Sequence, residues 1–270
     1  MENIRAKKSL GQNFLKSKVA LEQMIKAGDI ADTDLIVEIG PGKGALTERL
    51  LSVAGRVIAF EKDSRLIEFL KEKFATEIAA EKLILIYEDA LEITPEKFKL
   101  HAPKYKVIAN IPYYITGQFL RKFLETDHQP EKIVVMVQKE IAQRIMAKGK
   151  NGRDDGAESL LSISVKAYGT PRLIAKVPKE NFSPAPKVDS AILAIENISK
   201  KFFTENNILE EKFFELLHAG FAHKRKMLLG NLKAFFKKDF AKTFQSIGLS
   251  AKIRAENLSL EDWRNLKYFI

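Results

Sequence analysis

The stretch Leu35-Ile36-Val37-Glu38-Ile39-Gly40-Pro41-Gly42-Lys43-Gly44-Ala45 runs from an apolar segment through three glycines into a helical pattern. A short run that is almost wholly apolar fits a strand buried on both faces. Glycines directly after it let the backbone turn tightly and let a ligand come within contact distance. The same order of strand, loop and helix recurs downstream. Further strands are expected at 56–60, 83–87, 106–109 and 133–137, with amphipathic helices at 45–53, 64–74 and 117–124. Apolar strands alternating with helices predict an α/β fold, a Rossmann-like parallel sheet covered on both faces.

After residue 155 the pattern changes. Two β-type segments, 171–177 and 188–195, flank a Pro-rich loop, and from about residue 199 the chain turns helical and Lys-rich. This predicts a sheet domain at 1–198 and a small all-α domain at 199–270. Composition narrows the class further. The 270 residues are 46% apolar, enough for a real core, and 45 Lys+Arg against 35 Asp+Glu give a net charge of +10 that suits a polyanionic partner. There is no cysteine, so disulfides and thiolate metal sites are excluded, and the four histidines (His101, His128, His218, His223) are scattered. No metal is expected. The start, Met1 to Lys8, has no apolar signal core, and no window is long enough to span a membrane, so a cytoplasmic, monomeric protein is the expectation.

The polar residues at the expected strand tips define the ligand. Open α/β sheets bind ligands at the carboxyl ends of their strands. Gly40 follows the first strand and Glu61, 21 residues later, ends the second, where a carboxylate outside the core can accept both hydroxyls of a ribose. Asp89 follows the third strand and can take the exocyclic amine of an adenine. The glycine spacing also fits a dinucleotide fingerprint, which makes a nicotinamide oxidoreductase a competitor. A pyrophosphate wants N–H groups and basic residues, however, whereas a sulfonium-bearing amino acid wants acids nearby. Glu38 supplies that negative charge, and no histidine stands at a strand tip for hydride transfer. S-adenosylmethionine is the favoured cofactor.

The fourth tip reads Asn110-Ile111-Pro112-Tyr113-Tyr114. The Asn110 amide oxygen and the Ile111 carbonyl can accept the two N–H bonds of a base amine, because Pro112 offers no competing donor. Tyr113 can stack on the base face. Further on, Phe182-Ser183-Pro184-Ala185-Pro186 is a stiff loop that either presents Phe182 as the second ring of a sandwich or keeps it in the core. Near the start, Gln12-Asn13-Phe14-Leu15 precedes Ser17, an expected helix N-cap, and either folds over the cofactor as a lid or frays.

Taken together, these motifs resemble the ribosomal RNA adenine dimethyltransferases, the KsgA group, with the Erm methyltransferases as cousins. The resemblance is carried by Lys8 to Leu15, Val37 to Gly42, Glu61-Lys62-Asp63, Glu88 to Leu91, Asn110 to Thr116 and Asn181 to Ser190, in the family's order. It implies a class I S-adenosylmethionine-dependent methyltransferase. By that resemblance Asn13, Leu15, Gly40, Glu61, Asp89 and Asn110 contact the cofactor, and Asn110, Tyr113 and Phe182 hold the target adenine. The implied partner is small-subunit ribosomal RNA or the 30S precursor, dimethylated on two adjacent adenosines of a hairpin loop near its 3′ end. One departure stands out. The family's fourth motif usually reads Asn-Leu-Pro-Tyr-Asn, and here Ile111 and Tyr114 occupy its second and fifth places; Tyr114 is expected to alter packing behind the loop.

In the C-terminal part, His223-Lys224-Arg225-Lys226 adjoins an apolar helical face, with Lys233, Lys237, Lys238 and Lys242 adding charge. This region is either RNA-facing or a solvated helix surface. The stretch Arg254 to Ser259 resembles the KsgA group more than Erm. An Erm-type enzyme acting on large-subunit RNA, a non-catalytic RNA-binding factor and a NAD-dependent oxidoreductase are the competing functions.

Overall fold

The computed structural model describes residues 4–100, 102–148, 156–236 and 240–266; His101, Lys237 and Lys238 lie outside the described residues. The chain divides into two compact units, Met1–Ala142 with Pro171–Ile198, and Gln143–Thr170 with Ser199–Ile270. The second unit therefore includes 143–170, which the sequence pattern had placed with the sheet. An amphipathic helix shows that it has a buried stripe but not which core receives it.

The strands of the first unit are β1 (Phe14–Leu15), β2 (Leu35–Ile39), β3 (Arg56–Glu61), β4 (Leu83–Tyr87), β5 (Lys106–Asn110), β6 (Lys132–Gln138), β7 (Thr170–Val177), β8 (Phe182–Ser183) and β9 (Ser190–Glu196). Seven of them form one sheet in the order β4-β3-β2-β5-β6-β9-β7. The first five run parallel, and β9 pairs antiparallel with β6. All five residues of β2 are buried, Glu38 among them, as a central strand with both faces covered requires. Chain order reverses between β2 and β5: β3 and β4 extend the sheet to one side, β6 to the other. Ligands of open α/β sheets bind outside the carboxyl ends at such a switch point.

The helices of this unit are α1 (Lys18–Gly28), α2 (Ala45–Val53), α3 (Ser64–Lys73), α4 (Ala75–Ala79) and α5 (Thr116–Glu125). The Ser17 side chain caps α1 by accepting the Ala20 N–H, and Asp63 caps α3 by accepting that of Arg65. Each such cap is worth about 1 kcal/mol. Apart from the main sheet, β1 and β8 form a two-residue antiparallel ribbon that pairs Phe14 with Ser183 and Leu15 with Phe182. Beside it the Lys16 N–H donates to the Asn181 carbonyl at 2.8 Å.

Helix α6 (Lys139–Met146) carries the chain into the second unit, which continues with α7 (Leu160–Tyr168), α8 (Lys201–Glu205), α9 (Glu210–Phe221), α10 (Leu228–Phe236), α11 (Ala241–Ser246) and α12 (Leu260–Asn265). Its core is aromatic: Tyr168, Phe203 and Phe213 lie in sequence with centroids 5.2 and 5.6 Å apart, and the fully buried Trp263 stacks on Phe221 at 5.6 Å. Lys224, Arg225 and Lys226 are exposed, in the turn joining α9 to α10 and not on a helix face. The buried Asn231 closes that turn, donating to the Gly220 carbonyl at 2.7 Å and the His223 carbonyl at 3.2 Å. Arg254 to Ser259 forms a single turn and then the cap of α12, where Ser259 and Asp262 satisfy each other's backbone N–H. Among the described residues no helix is long and apolar enough to cross a membrane.

Candidate active site at the strand tips

Four adjacent strands end in four polar positions. Gly40 follows β2, Glu61 ends β3, Asp89 stands two residues past β4, and Asn110 ends β5. They open onto a cavity of about 690 Å³, a size suited to a small-molecule ligand. Asn13, Leu15, Gly40, Glu61, Asp89, Asn110 and Tyr113 all line it. Gly40 adopts φ +66°, and a Cβ built there meets only the Asn110 carbonyl, at 3.7 Å, so a ligand can approach its backbone. At Gly44 (φ +76°) a Cβ would stand 2.5 Å from the Phe74 ring, so the loop turns into α2 only with glycine there.

Glu61 is 6% exposed. Its Oε1 accepts the N–H groups of Lys62 and Asp63, each at 2.9 Å, and its Oε2 that of Gly42 at 3.3 Å. Burial raises its pKa while these three donors oppose the rise and the Asp63 carboxylate adds to it. The carboxylate is thus fixed in place with acceptor capacity left for hydroxyls. The expectation that it lies outside the core is corrected, since its loss would orphan three backbone donors, two of them buried. Asp89 is more open. Burial opposes ionisation there, but the Leu91 N–H and the Lys62 ammonium, 2.6 Å away, hold its carboxyl below the usual range.

Glu38 requires a second correction. It lines the cavity at 1% exposure, and neither carboxylate oxygen has a hydrogen-bond partner among the described residues. Burial pushes it up to about 8; Thr47 and Lys73 act against that, and Glu61 with it. Burial thus favours the protonated form in the free protein and weakens the standing negative charge expected from sequence. An orphaned buried carboxyl fits a cofactor that brings its own cation, because a positive group beside it provides the missing partner and restores ionisation. The donor set as a whole fits S-adenosylmethionine: acceptors for ribose hydroxyls, an acid for an amine, and a buried carboxyl for a cation.

The residues expected to hold the base fall into two groups. The Asn110 side-chain nitrogen donates to the Asn13 carbonyl at 3.2 Å, which leaves its oxygen as the acceptor. The Tyr113 hydroxyl bonds the Ser190 hydroxyl at 2.6 Å, and burial raises its pKa against that bond. Phe182 differs. It is 2% exposed within the core beside Leu15, and Ser183 and Pro184 line the cavity in its place. Tyr114 does not pack behind the loop either: it is 61% exposed and also lines the cavity.

The N-terminal segment lies across this edge, held by contacts that the sequence did not indicate. The Gln12 amide donates to Asp63 at 3.0 Å, and Lys7 reaches the same carboxylate at 3.6 Å. Arg65 grips Asp63 through two nitrogens, at 3.0 and 2.6 Å, and holds its carboxyl far below the ordinary range. Lys43 stands over the Phe14 ring at 5.2 Å. Asp63 stood in the Glu61-Lys62-Asp63 motif and Gln12 in the segment expected to fold as a lid, but nothing in the sequence joined the two. Ser190 lay at the end of another motif with no sign that it would hold Tyr113.

A family model described as ribosomal RNA adenine dimethylase matches residues 3–270. A protein named ribosomal RNA small subunit methyltransferase A from Dehalococcoides mccartyi is 42% identical, over 97% of this chain and 88% of its own length. One of the same name from Mycoplasmopsis pulmonis is 37% identical, over 96% and 97%. Among solved structures, a dimethyladenosine transferase from Plasmodium falciparum superposes with a TM-score of 0.77 at 27% identity, covering 95% of this chain and 97% of that one. The 23S rRNA methyltransferase ErmE reaches 0.73 at 22% identity, covering 95% and 98%, a likeness of fold. With its parallel sheet, its glycine loop and its Asn-Ile-Pro-Tyr tip, the chain belongs to the ribosomal RNA adenine dimethylase family.

Proposed function

We propose that this S-adenosylmethionine-dependent adenine dimethyltransferase acts on two adjacent adenosines in a hairpin loop near the 3′ end of small-subunit ribosomal RNA, as a monomer in the cytoplasm. One observation carries the reading: acceptors for a ribose, an oriented amide and a tethered ring converge on one cavity at the sheet's switch point. When bound, S-adenosylmethionine supplies an electrophilic methyl group on a sulfonium. Glu61 would hold its ribose, Asp89 its adenine amine, and the Gly40 loop and Glu38 its amino-acid end; Asn13 and Leu15 would cover it.

The target's exocyclic amine is a poor nucleophile, because its lone pair is delocalised into the ring. Asn110, its nitrogen committed to the Asn13 carbonyl, turns its oxygen to accept one amine N–H, and the Ile111 carbonyl accepts the other. These bonds favour a tetrahedral nitrogen aimed at the methyl group. The methylated cation then loses a proton readily, so no side-chain base is needed. Positioning bears the load, and orientation alone can supply roughly 7–11 kcal/mol. Extruding the base costs a few kcal/mol, and stacking on Tyr113 returns about 1–3 kcal/mol. Phe182, buried and paired with Leu15, is not placed to be a second ring. A monomethylated amine keeps one N–H for Asn110, which permits the second transfer.

In the second unit, the exposed Lys224, Arg225 and Lys226 supply phosphate contacts. The relatives named for the small subunit favour that substrate over large-subunit RNA. Incubating the protein with labelled methyl donor and purified unmodified subunits tests this. Label on two neighbouring adenosines of the small-subunit RNA is expected; label confined to the large subunit would overturn it.

A further inference from the structure

We propose that Tyr114 is a second base platform, on which the nucleotide beside the target adenosine stacks while the target occupies the pocket. The proposal rests on the RNA substrate argued above. Residues Tyr113–Ile115 form one turn of 3-10 helix. Side chains one residue apart on such a turn diverge by about 120°. Tyr113 turns inward, half-buried and tethered to Ser190, and Tyr114 turns outward, 61% exposed on the rim of the same cavity.

The outer ring is braced. A Cβ built at Gly11 would stand 3.3 Å from Cε1 and 3.4 Å from Cδ1 of Tyr114, so one edge of the ring lies close to the N-terminal segment, and the Tyr114 hydroxyl bonds Lys62. Lys62, whose other partner is Asp89, lines the same cavity with Arg5 and Lys8. An exposed aromatic ring beside a groove that cations line is the arrangement that holds single-stranded nucleic acid, the ring taking a base and the cations its phosphates. RNA loops are read in this way, by splayed bases stacked on aromatic side chains. The occupant follows from the substrate. With one of two adjacent adenosines drawn in against Tyr113, its neighbour is the base that reaches a ring one residue further along the same turn.

The test compares Tyr114→Ala, Tyr114→Asn and Tyr114→Phe in the full chain, on purified unmodified small subunits. The position is exposed, so the variants should fold. KM for the subunit should rise roughly tenfold or more in the alanine and asparagine variants. Tyr114→Phe, which keeps the ring, should restore it, and S-adenosylmethionine affinity measured by calorimetry should not move in any of the three. An unchanged KM in Tyr114→Ala would overturn the proposal. So would a phenylalanine variant as impaired as the alanine one, which would assign the role to the hydroxyl and Lys62. A matching loss of cofactor affinity would overturn it as well, reducing Tyr114 to a brace for the N-terminal segment. If the parent protein itself methylates no small subunit, the function falls and this occupant with it; the other failures touch Tyr114 alone.

Discussion

The strand-tip edge and the turn between α9 and α10 hold their functional groups in opposite ways. At the edge, Glu61 is fixed by three backbone donors, Asn110 by a backbone carbonyl and Tyr113 by a buried hydroxyl. In the turn, Lys224, Arg225 and Lys226 are exposed, and only the backbone beneath them is pinned, through Asn231. A methyl transfer depends on sub-ångström orientation, which requires side chains with few alternatives. Attraction to phosphates acts over several ångströms and tolerates mobile cations. Substitutions in the two regions should therefore alter different measured quantities.

The largest effect is expected for Asn110→Ala. With S-adenosylmethionine saturating, methyl transfer should fall roughly 10²–10³-fold, as for other groups oriented toward a reacting centre. RNA affinity should change little, because phosphate contacts dominate it. Equal transfer rates in variant and parent would remove Asn110 from the chemistry.

Next in size is Glu61→Gln. Glutamine keeps the two acceptor bonds at Oε1 and gives up the one to Gly42, so it disturbs the loop less than alanine would. Losing a charged acceptor costs about 1.5–3 kcal/mol, so cofactor affinity should weaken at least tenfold. Calorimetric titration of a folded variant with parent affinity would exclude Glu61 from the ribose site.

Glu38 gives a smaller, pH-dependent effect. Its carboxyl is raised from 4.5 to about 8 in the folded protein. Between those values the unfolded chain ionises and the folded one does not, so folding stability drops as pH rises through that window, by at most about 1.4 kcal/mol per pH unit. Glu38→Gln should flatten this slope in urea unfolding measured from pH 5 to 8. Parallel slopes in variant and parent would mean that Glu38 is ionised in the folded chain.

The smallest effect belongs to the basic turn. Neutralising Lys224, Arg225 and Lys226 should make log affinity against log salt shallower by about 0.7–0.9 per lost phosphate contact, with cofactor affinity unmoved. An unchanged slope would return the turn to an ordinary solvated surface.

What the sequence made legible follows the range of each interaction. Strands β2 and β4 and helix α2 occur at the expected residues, because burial on two faces or along one stripe writes a local periodicity. The tip residues were legible for the same reason: Gly40, Glu61, Asp89 and Asn110 each follow an apolar run. The links among them were not. Gln12 meets Asp63 across 51 residues, Tyr113 meets Ser190 across 77, and β1 pairs with β8 through two residues each; no period marks such pairs. The burial of Glu38 was hidden because a lone acid in an apolar strand reads equally as a tip residue or a core one. Phe182 had two possible environments by sequence, and the structure shows the buried one.

The central claim is that the strand tips position the reaction while the basic turn serves encounter with RNA. It is tested most directly by single-turnover methyl transfer with cofactor and unmodified small subunits both saturating, comparing Asn110→Ala with the triple neutralisation of Lys224, Arg225 and Lys226. The account expects the asparagine variant to remain slow by two or more orders of magnitude and the triple variant to reach the parent's rate. A triple variant that stays slow at saturation beside an Asn110→Ala that recovers would contradict it.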